Sequence, residues 1–308
     1  MSDIKLFRIS GQHAEELPGE SVALERSLQA LMERHLTTLL GVRFLASEYS
    51  TGKKHGGRID TLGIDENGAP VIIEYKRAVN ENVINQGLFY LDWLLDHKAE
   101  FKLLVMERLG AEEAADISWE GTRLLCIAGG YTRYDLYAVG QINRNIELLR
   151  YERFGDDLLL IDLVNRVNQS IPADDAPAPT NGAGASNTYT KATPLEALEK
   201  GSEELNDLYD ELLRFAEGLG DDVQVKALKM YIAVRRLKNF ICIEPHPVKG
   251  TLTIFLKVDP DTVELKPGFT RDVRNIGHYG TGELEVSIGS RADLEAAQPL
   301  ITRSYEAS

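Results

Sequence analysis

Cysteine is scarce in this chain. Its 308 residues include two, Cys126 and Cys242. Each sits inside an apolar run, which excludes a disulfide framework and reads as a reduced core thiol. There is no CxxC, no HExxH and no Walker-type glycine loop, so zinc and P-loop nucleotide sites have no footing. No apolar run approaches the roughly 18–20 residues that span a bilayer, and the opening MSDIKLFRIS has no signal-peptide pattern. These absences lead to the expectation of a cytoplasmic protein without a membrane partner. An excess of positive charge is missing too. The net charge is −14, and residues 1–170 hold 26 acidic against 19 basic side chains, −7 of that total. Long-range attraction to nucleic acid is not evident from these totals, so phosphate binding would have to come from local patches.

What is present points to two domains, which the length accommodates. Residues 168–194 are rich in Pro, Ala, Gly, Ser and Asn without periodicity. They read as a flexible linker, about 30 Å in root-mean-square span, between domains at 1–167 and 195–308. In the first domain a short edge strand is expected at Ile4–Ile9. A helix is expected over Leu24–Leu39, with Ser21 near its start and Gly41 as its stop. Val42–Tyr49 reads as a strand, Ser50–Gly57 as a polar loop, Glu81–Lys98 as a long helix and Phe101–Met106 as a strand. Further strands are expected at Arg123–Ala128 and Ile146–Phe154, with a helix near Asp135–Gln141 between them.

The stretch RIDTLGIDENGAPVIIEYKR, residues 58–77, organises this domain. Asn67-Gly68 suits a tight turn, and β-favouring runs flank it. Asp60 falls on the first strand of the hairpin, Glu74 and Lys76 on the second. Strand side chains alternate, so Glu74 and Lys76 share a face and Tyr75 takes the other. Val71, Ile72 and Ile73 make the second strand apolar on both faces, as in a buried strand. A Glu and a Lys there are costly to desolvate without a purpose. The plain alternative is a hairpin carrying an exposed ion pair.

The spacing Asp60, thirteen residues, Glu74, one residue, Lys76 resembles the signature of the PD-(D/E)XK nuclease superfamily. The resemblance implies an α/β fold: a restriction-endonuclease-like αβββαβ core with a mixed sheet flanked by helices. It also implies that Asp60, Glu74 and the Tyr75 carbonyl hold Mg2+, for which Mn2+ can substitute, because both prefer oxygen ligands. Lys76 would orient the attacking water or steady charge on the phosphate. Glu25, bordering the buried stripe of the first helix, corresponds to a glutamate that helps hold the metal in related nucleases. A glutamate favoured by the helix dipole is its alternative reading. Gln86 and Tyr90, one turn apart on the second helix, match a QxxxY pattern that several branches place beside the active site. The loop residues Lys53, Lys54, His55 and Arg58, extended by Arg77, read as phosphate contacts or else as a solvated loop.

Within the superfamily, residues 1–167 look like the NucS type, the mismatch endonucleases of archaea and actinobacteria, through GRID, IIEYKR and QGLFY. In that type the nuclease follows a DNA-binding domain, whereas here it comes first, so mismatch specificity does not carry over. The long helix has a second stripe, Gln86, Tyr90, Trp93 and His97, that would line a cleft or meet a second copy in a homodimer.

The second domain reads as α+β, similar to an uncharacterised bacterial C-terminal domain found on various partners. An amphipathic helix over Leu195–Phe215 leads, strands follow near 230–235, 240–245, 252–258 and 283–288, and a helix at Arg291–Ser304 closes it. Lys226, Lys229, Arg235, Arg236 and Lys238, beside Tyr231 and Phe240, suit nucleic acid or a solvated strand edge. His278 reads as a turn residue. Three functions follow: a Mg2+-dependent DNA endonuclease with an appended recognition domain, a catalytically silent module binding nucleic acid or protein, and a soluble component of transport or signalling, which no residue supports positively.

Overall fold

The structure, a computed structural model, describes residues 4–21, 25–76, 82–167 and 192–308. Two compact units divide the chain, Met1–Thr180 and Asn181–Ser308. The expected linker lies outside the described residues as far as 191. Its last residues, Thr193 and Pro194, belong to a helix start.

In the first unit, β1 (Leu6–Ser10) and β2 (His13–Leu17) form a hairpin of their own, so the expected edge strand is not part of the main sheet. Then come β3 (Gly19–Glu20), α1 (Glu25–Arg34), α2 (Leu36–Leu40), β4 (Val42–Ser50), α3 (Gly52–His55), β5 (Arg58–Asp65) and β6 (Pro70–Lys76). After them follow α4 (Asn82–Asp96), α5 (Lys98–Leu109), α6 (Ala111–Ala115), β7 (Arg123–Ala128), α7 (Arg133–Gly140), β8 (Asn145–Phe154) and β9 (Leu158–Val167). The main sheet has the order β3-β8-β7-β6-β5-β4, with β9 also on β8. β4, β5 and β6 are mutually antiparallel, whereas β6, β7 and β8 are parallel. This is an α/β fold with a mixed sheet, and α1, β4, β5, β6, α4 and β7 give the order αβββαβ.

Local chemistry explains the elements. Gly41 ends α2 in the left-handed region, at φ 63°. Gly68, at φ 73°, lets the chain reverse between β5 and β6, while the Asp65 carboxylate accepts from the amides of Asn67 and Ala69. β6 is central and buried from Pro70 to Tyr75. Ile72 packs with α4 through Val83, Leu91 and Leu94. The alternate side chains, Ile73 and Tyr75, share the other face with Thr61, whose hydroxyl donates to Glu33 on α1. Gly87 lets α4 approach β7 closely, since a Cβ there would lie 2.5 Å from Leu124.

The expectation of a strand at Phe101–Met106 is wrong: these residues belong to α5. A short apolar run does not by itself separate strand from helix. Here Phe101 and Val105 are buried at i, i+4, while Leu103 and Met106 are exposed. On the second stripe of α4, Tyr90 and Trp93 are buried within the chain, while Gln86 and His97 are half-buried. Trp93 packs against Tyr49, and the His97 ring stacks on Trp93 at 4.6 Å.

Far from the carboxyl ends of β6 and β7 lies a buried charge network. Arg123 pairs with Asp65, its Nε lies 3.7 Å from Glu147, and Arg166 lies 3.2 Å from Glu147. The network ties β5, β7, β8 and β9 together. Arg123→Met should therefore cost about 3–5 kcal/mol, because it takes the guanidinium from buried Asp65 and leaves Glu147 with one of its two arginines. Urea unfolding reads this as a lower midpoint, and an unchanged midpoint would show that the network contributes nothing.

The second unit contains α8 (Pro194–Glu199), α9 (Glu203–Glu217), β10 (Gln224–Ala227), β11 (Ile232–Arg235), β12 (Asn239–His246), β13 (Thr251–Leu256), β14 (Thr270–Asp272), β15 (Leu284–Ile288) and α10 (Arg291–Glu306). The single expected N-terminal helix is two, interrupted around Gly201, and a Thr193–Glu196 capping box starts the first. The strands form an antiparallel sheet of order β10-β11-β12-β13-β15-β14. Its core joins Leu205, Leu208 and Leu212 of α9 and Leu294, Ala297 and Ile301 of α10 to the strands. Arg235 is buried and donates to the carbonyls of Arg236 and Leu237, while Arg236 pairs with Asp222. These two arginines are therefore built into the unit's own structure. His278 stacks on Phe255 at 4.2 Å.

Candidate active site

The ladder between β5 and β6 runs from Ile64–Pro70 to Thr61–Ile73. Its next step would set Asp60 beside Glu74, and there side chains take over from the main chain. The Tyr75 amide donates to Asp60 Oδ2 at 3.0 Å, and the Asp60 amide donates to Glu74 Oε1 at 3.2 Å. Each carboxyl thus caps an amide beside the other. The Asp60 carbonyl is held from behind by Gln29 Nε2 at 2.7 Å.

Glu74 is fully buried, and its Oε2 meets no hydrogen-bond partner. Burial pushes its carboxyl up to about 9, and the neighbouring charge of Asp60 adds to the rise. Burial also raises Asp60, against the Tyr75 amide and Lys76, which lower it. At neutral pH Glu74 therefore holds its proton unless a cation compensates the charge. A buried oxygen without a partner, beside a second carboxylate, suits a hard cation. Among the described residues no three acidic, His or Cys side chains converge to hold an ion. The donors offered are the carboxyl oxygens of Asp60 and Glu74. Mg2+, which retains several waters and commonly takes one or two carboxylates, fits such a set.

Lys76 closes β6, with its side chain largely buried and its Nζ 3.5 Å from Glu25. Glu25 therefore stands on the lysine as well as near the acid pair, where its charge bears on Asp60. The Tyr75 ring is buried on the opposite face, and burial drives its phenol far up. Gln86 and Tyr90 do come together: Gln86 Nε2 lies 3.4 Å from the Tyr90 hydroxyl, which also accepts from the Arg58 amide at 3.2 Å. Gly57 makes that approach possible, since a Cβ there would lie 2.6 Å from the Tyr90 ring. The pair fastens the start of β5, two residues before Asp60.

The basic loop is placed unevenly. Lys53 is exposed on α3. Lys54 is on the same helix, but its side chain lies outside the described residues, as does Arg77 altogether. His55 is half-buried, its ring 5.3 Å from Phe89 and 5.9 Å from His97. Arg58 is exposed, with Nε 3.3 Å from Glu48 Oε2.

Sequence reasoning missed Glu48 and Gln29. The charge of Glu48 bears on both Asp60 and Glu74. Nothing in its surroundings in the sequence marks it. Gln29 could have been noticed as a polar residue next to the buried Leu28 on α1.

Comparisons with known proteins add the following. The family model described as "Domain of unknown function (DUF5655)" matches residues 196–308. A protein of Haemophilus influenzae named "Uncharacterized protein" is 27% identical over 309 residues, covering 98% of this chain and 100% of its own. The solved structure titled "Structure of EndoMS-dsDNA2 complex" is similar with a TM-score of 0.28 and 18% identity, over 42% of this chain. The match spans about half of that structure's chain, 47%. A likeness of that size carries neither a fold nor a function.

Proposed function

We propose that the first unit is a metal-dependent nuclease that hydrolyses phosphodiester bonds in DNA, cutting internally, in DNA repair or in defence against foreign DNA. The observation that carries this reading is the reciprocal capping of Asp60 and Glu74, with Oε2 of Glu74 left over and Lys76 at the end of the same strand. Asp60, Glu74 and the Tyr75 carbonyl would hold Mg2+ or Mn2+. Such an ion, when bound, polarises the phosphate and lowers the pKa of its water.

The chain's own groups have separable parts in this scheme. Lys76 places a positive charge where negative charge grows on the phosphate, and Glu25 keeps its ammonium at that spot. Gln29 holds the main chain of Asp60, while Gln86 and Tyr90 fix the start of its strand. Lys53 and Arg58 offer phosphate contacts on the rim, which orient DNA without reading its sequence. The second unit is the proposed recognition or partner-binding module.

A screen of labelled single- and double-stranded DNA and RNA with Mg2+, Mn2+ or EDTA tests this. Ion-dependent cutting of DNA within the strand is the expected outcome. Failure to cut any of these substrates with either ion would leave the proposal without support, and cutting of RNA alone would correct its substrate.

A further inference from the structure

We propose that Glu48 is a third carboxylate of the divalent-cation site, held away from it by Arg58 until an ion arrives. This rests on the metal-dependent reading above. Ser47 pairs with Thr61 and Tyr49 with Ile59, which sets Glu48 level with Asp60 across β4 and β5. The ladder on the other side sets Asp60 level with Glu74. Three acidic residues thus stand abreast on three neighbouring strands, each about 4.8 Å from the next. Like charges directly opposite one another oppose strand pairing. All three carboxyl groups on β4, β5 and β6 could ionise together only with a cation among them, which would take the place of the proton on Glu74.

Two independent observations point the same way. Oε2 of Glu74, in the fully buried member of the row, has no partner. Glu48 also has φ 50°, the one positive φ at a non-glycine among the described residues. Left-handed backbone inside a strand is unfavourable for glutamate, and such strain concentrates at functional sites. As it stands, Glu48 is turned to Arg58, its Oε2 lying 3.3 Å from Nε. That pairing accounts for the lack of a converged three-acid group. A surface ion pair of this kind is weak, and exposed side chains change rotamer within nanoseconds. The ion would take Glu48 from Arg58 and release the guanidinium for a phosphate.

Calorimetric titration of the full-length protein with Mn2+ tests the proposal, using the parent, Glu48→Gln, Glu48→Gly and Arg58→Met. Glu48→Gln, which keeps the side chain's shape, should weaken Mn2+ binding by about tenfold or more. Arg58→Met should tighten it, because the competing cation is gone. Glu48→Gly should raise Tm by about 2–4 °C, since glycine carries no penalty at this φ, and still lose affinity. Parent-like affinity in both Glu48 variants would overturn the role of Glu48 while leaving the nuclease reading intact. No Mn2+ uptake by the parent would instead remove the cation site itself.

Discussion

Lys76→Ala is expected to lower the cleavage rate by about 10²–10³-fold, the usual cost of losing one electrostatic contact to a transition state. The loss should fall on kcat. DNA binding depends on contacts spread along the phosphates, so the affinity should change little. Stability should hold as well. The partner left behind, Glu25, is about half exposed, at 47%, and water can replace the lost ammonium. Fluorescence anisotropy with labelled DNA beside single-turnover cleavage separates these quantities. A variant that cuts as fast as the parent would show that Lys76 is not catalytic.

Asp60→Asn should abolish cleavage by a different route. The amide oxygen of Asn can still accept from the Tyr75 amide, so the strand fork at β5 and β6 is preserved. The negative charge is lost, and with it the tight hold on a hard cation. Mn2+ binding by calorimetry should therefore collapse in Asp60→Asn and persist in Lys76→Ala. Asp60→Ala is a poorer probe, because it also leaves a buried amide unpaired, at about 1–3 kcal/mol. Parent-like Mn2+ affinity in Asp60→Asn would remove Asp60 from the ligand set.

The order of the central elements was legible because strong signals agree there. Val71, Ile72 and Ile73 are β-branched and favour a strand, Asn67-Gly68 favours a tight turn, and the two signals agree on one hairpin. From that hairpin, alternation placed Glu74 and Lys76 on one face and Tyr75 on the other. The reach of Gln86 to Tyr90 followed from one turn of helix. The failures are of another kind. Phe101–Met106 is a compact apolar run, and its helical state is set by which faces the sheet buries, which no local pattern contains. Pairing β9 with β8 depends on long-range register. The place of Glu48 level with Asp60 was not legible because it rests on a backbone angle and on a pairing register across β4 and β5. The pairing of Arg58 with Glu48, and the packing of His55 on Phe89, likewise arise from tertiary neighbours. Reading the loop as a string of basic residues missed both.

The proposed divalent-cation site lies between Asp60 and Glu74, where the start of β5 meets the end of β6. Crystals of the full-length protein soaked in Mn2+ and recorded at the manganese edge test it most directly. One anomalous peak is expected within coordination distance of a carboxylate oxygen from each residue and of the Tyr75 carbonyl, with Oε2 of Glu74 among the ligands. Carboxylates directed to opposite sides of the sheet, or a fully soaked crystal with no peak between them, would contradict it.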